Sequence, residues 1–189
     1  MRTLFMAVIL FSPVLISNAQ TTFTNTTSDA IEMVVRDYRN HFKNIRGEQL
    51  SQNSVATGYK STIKVPGTIN SSVTIYNSNS EEACSWQAVV IETSDFAAAR
   101  IKYKEVFDQV KNTIVKVDGQ RPVIINGKFD VPTEDKKWSN ISFELVPVGP
   151  EFQKLQVGLS IQKTSQKWMV VLKVHDTSIN EEGVAMAPM

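Results

Sequence analysis

Apolar positions along this chain change period several times, and each change marks an element. From Asp29 to Arg46, Ile31, Val34, Val35, Tyr38, Phe42 and Ile45 recur at spacings of three and four, the stripe of an amphipathic helix. Asp29 and Glu32 suit a capping box at its start, and Gly47 suits its C-terminal stop. Residues 48–57 are polar without a period and predict a loop. Over Tyr59–Val65 the period becomes two, with Tyr59, Ser61, Ile63 and Val65 on one side of a half-buried strand that Pro66-Gly67 ends as a turn. Val73 and Ile75 mark a second strand, and Asn77–Glu82 a polar turn. Residues 84–93 form a third strand, apolar on both parities: Trp86, Ala88 and Val90 against Val89 and Ile91. Such a strand is expected at the centre of a sheet.

A second helix follows, with Ser94 as its expected cap, Asp95 in its first turn and Phe96, Ala99, Tyr103, Val106, Phe107 and Val110 as its stripe. Arg100, Lys104, Asp108 and Lys111 fall toward solvent. Residues 112–118 read as a short strand or coil, and Asp118-Gly119 as a turn. Alternation then returns in four segments: Pro122–Val131, interrupted by Asn126-Gly127; Ser139–Pro147; Leu155–Ile161; and Lys167–His175. Residues 177–189 have no period and predict a mobile tail.

The two halves echo one another. Ser28-Asp29 and Ser94-Asp95 precede the two helices at an offset of 66, Val65-Pro66 and Val131-Pro132 recur at the same offset, and Trp86 and Trp168 begin similar apolar runs at an offset of 82. Single-striped helices beside alternating strands imply an α+β fold in two layers, an antiparallel sheet with both helices packed on one face. The expected order is α-β-β-β-α-β-β-β-β, an order that allows an internal duplication, with half-repeats near 28–93 and 94–176 and Ser139–Pro147 as the additional strand.

The N-terminus changes the expected location. Arg2, a largely apolar run of 13 residues over Leu4–Ile16, and Ser17-Asn18-Ala19 match the three parts of a secretory signal peptide cleaved after Ala19. Residues 20–27 then form a loose leader, residues 28–176 one α+β domain, and the protein is expected to be secreted or periplasmic. Removing Arg2 with the signal leaves 19 Lys+Arg against 19 Asp+Glu. That balance, with no basic run, gives no footprint for nucleic acid or anionic membrane, and no later run is long enough to span a bilayer. The lone Cys84 gives no disulfide framework. Asn25, Asn70 and Asn140 begin N-glycosylation triplets.

Candidate chemistry is sparse. A Cys84–His175 nucleophile pair is disfavoured by parity, which puts Cys84 on the face of Trp86 and His175 opposite the face of Trp168. Two histidines without ligand spacing suggest no metal, and no phosphate loop or nucleophile elbow occurs, so no catalytic residue and no cofactor is assigned. What remains is the sheet face turned away from the helices, where Val89, Ile91, Met169 and Val171 are expected as neighbours, with Tyr76, Trp138 and Val146 nearby. An apolar patch there suits a protein partner or self-association. The reading is an exported non-enzymatic binding or assembly module. The alternative is a carrier of a small apolar ligand held between sheet and helices; a hydrolase is the least supported.

Overall fold

Strand pairing, more than any local pattern, decides how these elements assemble. The computed structural model describes residues 27–76, 83–117 and 119–179. The expected signal peptide, nearly all of the leader, the 77–82 turn, Asp118 and the tail beyond Ile179 lie outside these residues. The first half holds helix α1 (Thr27–Asp37) and strands β1 (Arg46–Gln52), β2 (Ala56–Ser61), β3 (Asn70–Tyr76) and β4 (Ala83–Thr93). The second holds helix α2 (Phe96–Val110) and strands β5 (Ile114–Val115), β6 (Val123–Asn126), β7 (Trp138–Val146), β8 (Leu155–Thr164) and β9 (Lys167–Asp176). The described strands make one antiparallel sheet of nine in the order β1-β2-β3-β4-β9-β8-β7-β6-β5. Each half is a meander running inward from its own edge, and the two meet at the centre where β4 pairs with β9.

One face of the sheet makes the core. Trp86, Ala88, Val157, Leu159, Ile161, Val170, Leu172 and Val174 are buried in a single cluster with Ile31, Val34 and Val35 of α1 and Ala99, Tyr103, Val106 and Phe107 of α2. The helices touch each other, α2 lying along β4, β8 and β9 and α1 reaching β5. Phe96 tilts against Trp168 at 4.7 Å between ring centroids, and Phe107 stacks on Phe143 at 5.6 Å. Trp86 is fully enclosed, and its indole N–H donates to Ser61 Oγ at 2.9 Å, which is how a buried tryptophan avoids stranding its one polar group.

The register relates the two central strands. Trp86 lies opposite Val174 and Trp168 opposite Thr93. The offset of 82 that carries Trp86 to Trp168 carries Thr93 to within one residue of Val174, and that one residue is the bulge between Val89 and Ile91. Counting outward from this axis, β3 and β8, β2 and β7, and β1 and β6 hold matching positions in the strand order. The two-residue β5 is the strand with no counterpart position across the centre in that order.

The expected element order is therefore corrected: four strands follow α1 and five follow α2 among the described residues. The additional strand in the first half is β1, in a stretch expected to be partly helix end and partly loop. Its residues after Arg46 are all exposed, so no alternation records it; it exists because its backbone pairs with β2, with two register shifts along the way. Charge and irregularity of this kind are common on edge strands. Gly47 does not stop a helix. It sits where a Cβ would come 3.0 Å from the Lys60 carbonyl oxygen of β2.

Helix α1 ends at Asp37, not near Arg46. The Asp37 carboxylate accepts hydrogen bonds from the Asn44 backbone N–H, the Asn44 side-chain amide and the Asn40 side-chain amide. These bonds hold two short 3-10 turns at Tyr38–Asn40 and Lys43–Ile45. Between them His41 and Phe42 take positive φ, and Phe42 is delivered fully buried into the core. The cap of α2 is Asp95, whose side chain accepts from the backbone N–H groups of Ala97 and Ala98, so the expected Ser94 cap is displaced by one residue. In the second half the expected Pro122–Val131 strand stops at Asn126, whose side chain accepts from the Gly127 N–H.

Candidate functional site

In an antiparallel sheet, directly opposite residues share a face and successive residues alternate. The faces are thus fixed by the core: positions alternating with Trp86, Leu159 and Val170 point to the side without helices. Three cross-strand rows run over the middle of that open face from β7 through β8 and β9 to β4. The first is Trp138, Gln162, Met169 and Glu92; the second Asn140, Ser160, Val171 and Val89; the third Ser142, Gly158, Lys173 and Gln87.

These rows place the residues singled out from sequence. Val89 and Val171 are directly opposite one another, both half-buried, and Met169 lies in the adjacent row. Those three are brought together. Trp138 shares the face and is 51% exposed, but Gln162 and Ser160 of β8 stand between it and the valine pair. Tyr76 is also on this face, opposite Ala83 at the far end of β4, and does not join the group. Ile91 is not on this face. Past the bulge it lies opposite Val170 and packs against the helix-side core. A bulge adds a residue to one strand and shifts the parity of the residues beyond it, and the run Ala-Val-Val-Ile, apolar at every position, hides that shift in the sequence.

The face is mostly neutral and polar. Glu92 is paired with Lys167 at 2.8 Å, and Lys173 is partnered as well. Apolar character is interrupted, so the expected continuous apolar patch is reduced to Val89, Val171 and Met169. A separate row that parity alone does not assemble, Ile114, Ile124 and Val146, is exposed across β5, β6 and β7. Its signal in the sequence is the Val123-Ile124-Ile125 run, apolar on both parities.

His175 sits on the same face as the valine pair, opposite Ser85 of β4 and Gln156 of β8. It is only 9% exposed, and its Nδ1 is buried without a hydrogen-bond partner among the described residues. Burial, reinforced by Lys173 and partly opposed by Asp176, pushes its pKa down to about 4, so it is neutral at pH 7. Cys84 is buried in the core on the other side. Sheet and backbone separate the two, and the arrangement offers no thiolate–imidazole pair. Among the described residues no group of three His, Cys, Asp or Glu side chains is placed to hold a metal ion, and no helix is long and apolar enough to cross a membrane.

On the helix side a cavity of about 440 Å³ opens between the start of α1, the Val65-Pro66 turn and α2. It is lined by the buried Val65, Val90 and Val106, by the exposed Pro66 and by the polar Thr27, Ser28, Lys102, Glu105 and Gln109. Lys102 and Glu105 are paired along α2 at 2.9 Å.

Compared with protein-family models the chain matches none, and comparison with curated proteins likewise finds no match.

Proposed function

We propose that this protein is an exported, non-enzymatic binding module whose contact surface is the open face of its sheet. Export rests on the three-part N-terminal signal pattern. The observation that carries the binding reading is the Val89–Val171 pair: two half-buried valines directly opposite one another on the two central strands, on the side that neither helix covers. Central strands usually bury such residues, and an apolar centre ringed by polar groups is the ordinary anatomy of a contact surface. The matching positions of the two meanders support an origin by internal duplication, with β5 added at one edge. Light scattering of the purified protein tests self-association through this face. A dimer that Val171→Lys converts to monomer assigns the face to a second copy; a monomer unchanged by the substitution leaves it for another partner.

The cavity beside α2 supports a second reading, a carrier of a small apolar ligand. Its volume falls in the range of small-molecule sites, and its lining includes the buried apolar side chains of Val65, Val90 and Val106. Native mass spectrometry of freshly purified protein tests it: a carrier retains a co-purifying mass that Val106→Trp displaces.

A further inference from the structure

The open face carries a pattern that a general contact surface does not require. Trp138 is the one exposed aromatic side chain in its three central rows. Beside it in the first two rows stand the side-chain amides of Gln162 and Asn140 and the hydroxyl of Ser160. None of these three side chains is hydrogen-bonded to another described residue. The contrast on the same face of β8 is Gln156, whose amide is committed to the Phe143 and Val157 carbonyl oxygens. Next to Asn140, Gly158 leaves the floor low: an added Cβ would meet Asn140 Oδ1 only at 3.7 Å. Uncommitted amides and a hydroxyl thus border an aromatic ring on a flat surface.

Charge decides between occupants. A nucleic acid or anionic lipid surface needs a field of lysine and arginine, and these rows contain one lysine, already partnered. A protein partner that used Trp138 as its hot spot would need an apolar, fully desolvated surround for it, and the side chains bordering Trp138 are the polar Gln162, Asn140 and Ser160, which separate it from the valine pair. A neutral, polyhydroxylated chain fits both features. Its hydroxyls pair with amides that donate and accept, and the weakly positive C–H groups of a sugar ring lie on the negative face of an indole. With strands about 4.8 Å apart, the path from Trp138 over Gln162 to Met169 covers about 10 Å, the length of a disaccharide.

We infer that the open face binds a neutral carbohydrate chain, with Trp138 as the stacking platform and Asn140, Ser160 and Gln162 as its hydrogen-bonding groups. This rests on the reading of that face as a contact surface and names its occupant. The test is affinity electrophoresis of the purified protein through gels containing neutral polysaccharides of glucose, mannose, galactose, xylose and N-acetylglucosamine. Retardation by at least one is expected. Trp138→Ala weakens it at least about tenfold, as loss of an aromatic anchor does, Trp138→Tyr preserves part of it, and Asn140→Ala with Gln162→Ala weakens it without lowering the melting temperature. No retardation in any gel overturns the inference, as does retardation that Trp138→Ala leaves unchanged. A dimer in light scattering that Trp138→Ala dissolves also overturns it, in favour of a second copy. Photo-crosslinking from position 171 in the source cells separates the two levels: adducts there without carbohydrate retardation leave the contact surface standing and remove only this occupant.

Discussion

The Tyr38 hydroxyl donates a 2.8 Å hydrogen bond to Asp176 Oδ2, joining the end of the first helix to the end of the last strand across 138 residues of sequence. The same carboxylate accepts from the Ser178 N–H and hydroxyl. Burial pushes the Asp176 pKa up, but the Ser178 and Tyr38 hydrogen bonds and the nearby Lys154 outweigh it and hold it below the ordinary carboxylate range. Hydrogen bonds to charged groups contribute about 1.5–3 kcal/mol. Tyr38→Phe removes one without changing the ring, and a loss of about 1–2 kcal/mol is expected in urea unfolding at pH 7. Because a depressed carboxylate stabilises the fold above its unfolded pKa and ceases to do so as pH falls through its folded one, the deficit shrinks in strong acid. An equal deficit at pH 7 and at pH 2 contradicts the assignment.

His175 gives the opposite kind of group the same sign. Its folded pKa of about 4 lies below the ordinary histidine value of 6.5, so the unfolded chain takes up a proton first as pH falls. Stability is at its full value above pH 6.5 and declines between pH 6.5 and pH 4. Partial solvent access limits the effect to about 1–2 kcal/mol, against about 1.36 kcal/mol per unit for a fully realised shift. Melting temperatures of the wild type and His175→Gln, measured from pH 7.5 to pH 4, are expected to converge as pH falls. Parallel curves contradict a buried neutral imidazole.

Ser61 serves Trp86. Its Oγ accepts the indole N–H and donates to the Ile63 carbonyl. Ser61→Ala leaves a buried donor unpaired, at a cost of about 1–3 kcal/mol. The check is denaturant unfolding followed by tryptophan fluorescence, with Ser61→Thr as the variant expected to keep the bond. A neutral Ser61→Ala contradicts the account.

At the start of α2, Asp95→Ala is expected to cost about 1 kcal/mol and Ser94→Ala appreciably less, because Asp95 is the residue whose side chain meets the orphan N–H groups. Thermal unfolding of the two variants side by side checks the order. The Ser94 expectation shows why termini are hard to place from sequence: Ser94-Asp95 offers two good caps in succession, and only the backbone angle at Asp95 decides.

The rest of the fold is legible where packing imposes a period. The stripe of α2 from Ala99 to Val110 and the alternation over Val73–Ile75, Ile141–Leu145 and Leu155–Ile161 are buried positions of the structure, because each has one face to bury. Arg46–Gln52 is not legible, since an edge strand that exposes its side chains is held by backbone pairing that leaves no hydrophobic trace. On the open face, Val89, Val171 and Met169 can be grouped by parity alone. Ile91 cannot be placed that way, because the bulge that turns it toward the core is a matter of register between strands. Trp138 can be assigned to the face, but its isolation behind Gln162 and Ser160 depends on pairing between β7 and β8 that no local pattern encodes.

The claim that the open face is the contact surface is tested most directly by photo-crosslinking in the source cells. A photoreactive residue at position 171 faces the open side, and one at position 101, where Ile101 is exposed on α2, reports the helix side. Adducts from position 171 that Val89→Lys suppresses, with none from position 101, are the predicted result. Adducts from position 101 alone, or from both positions equally and unchanged by Val89→Lys, contradict it.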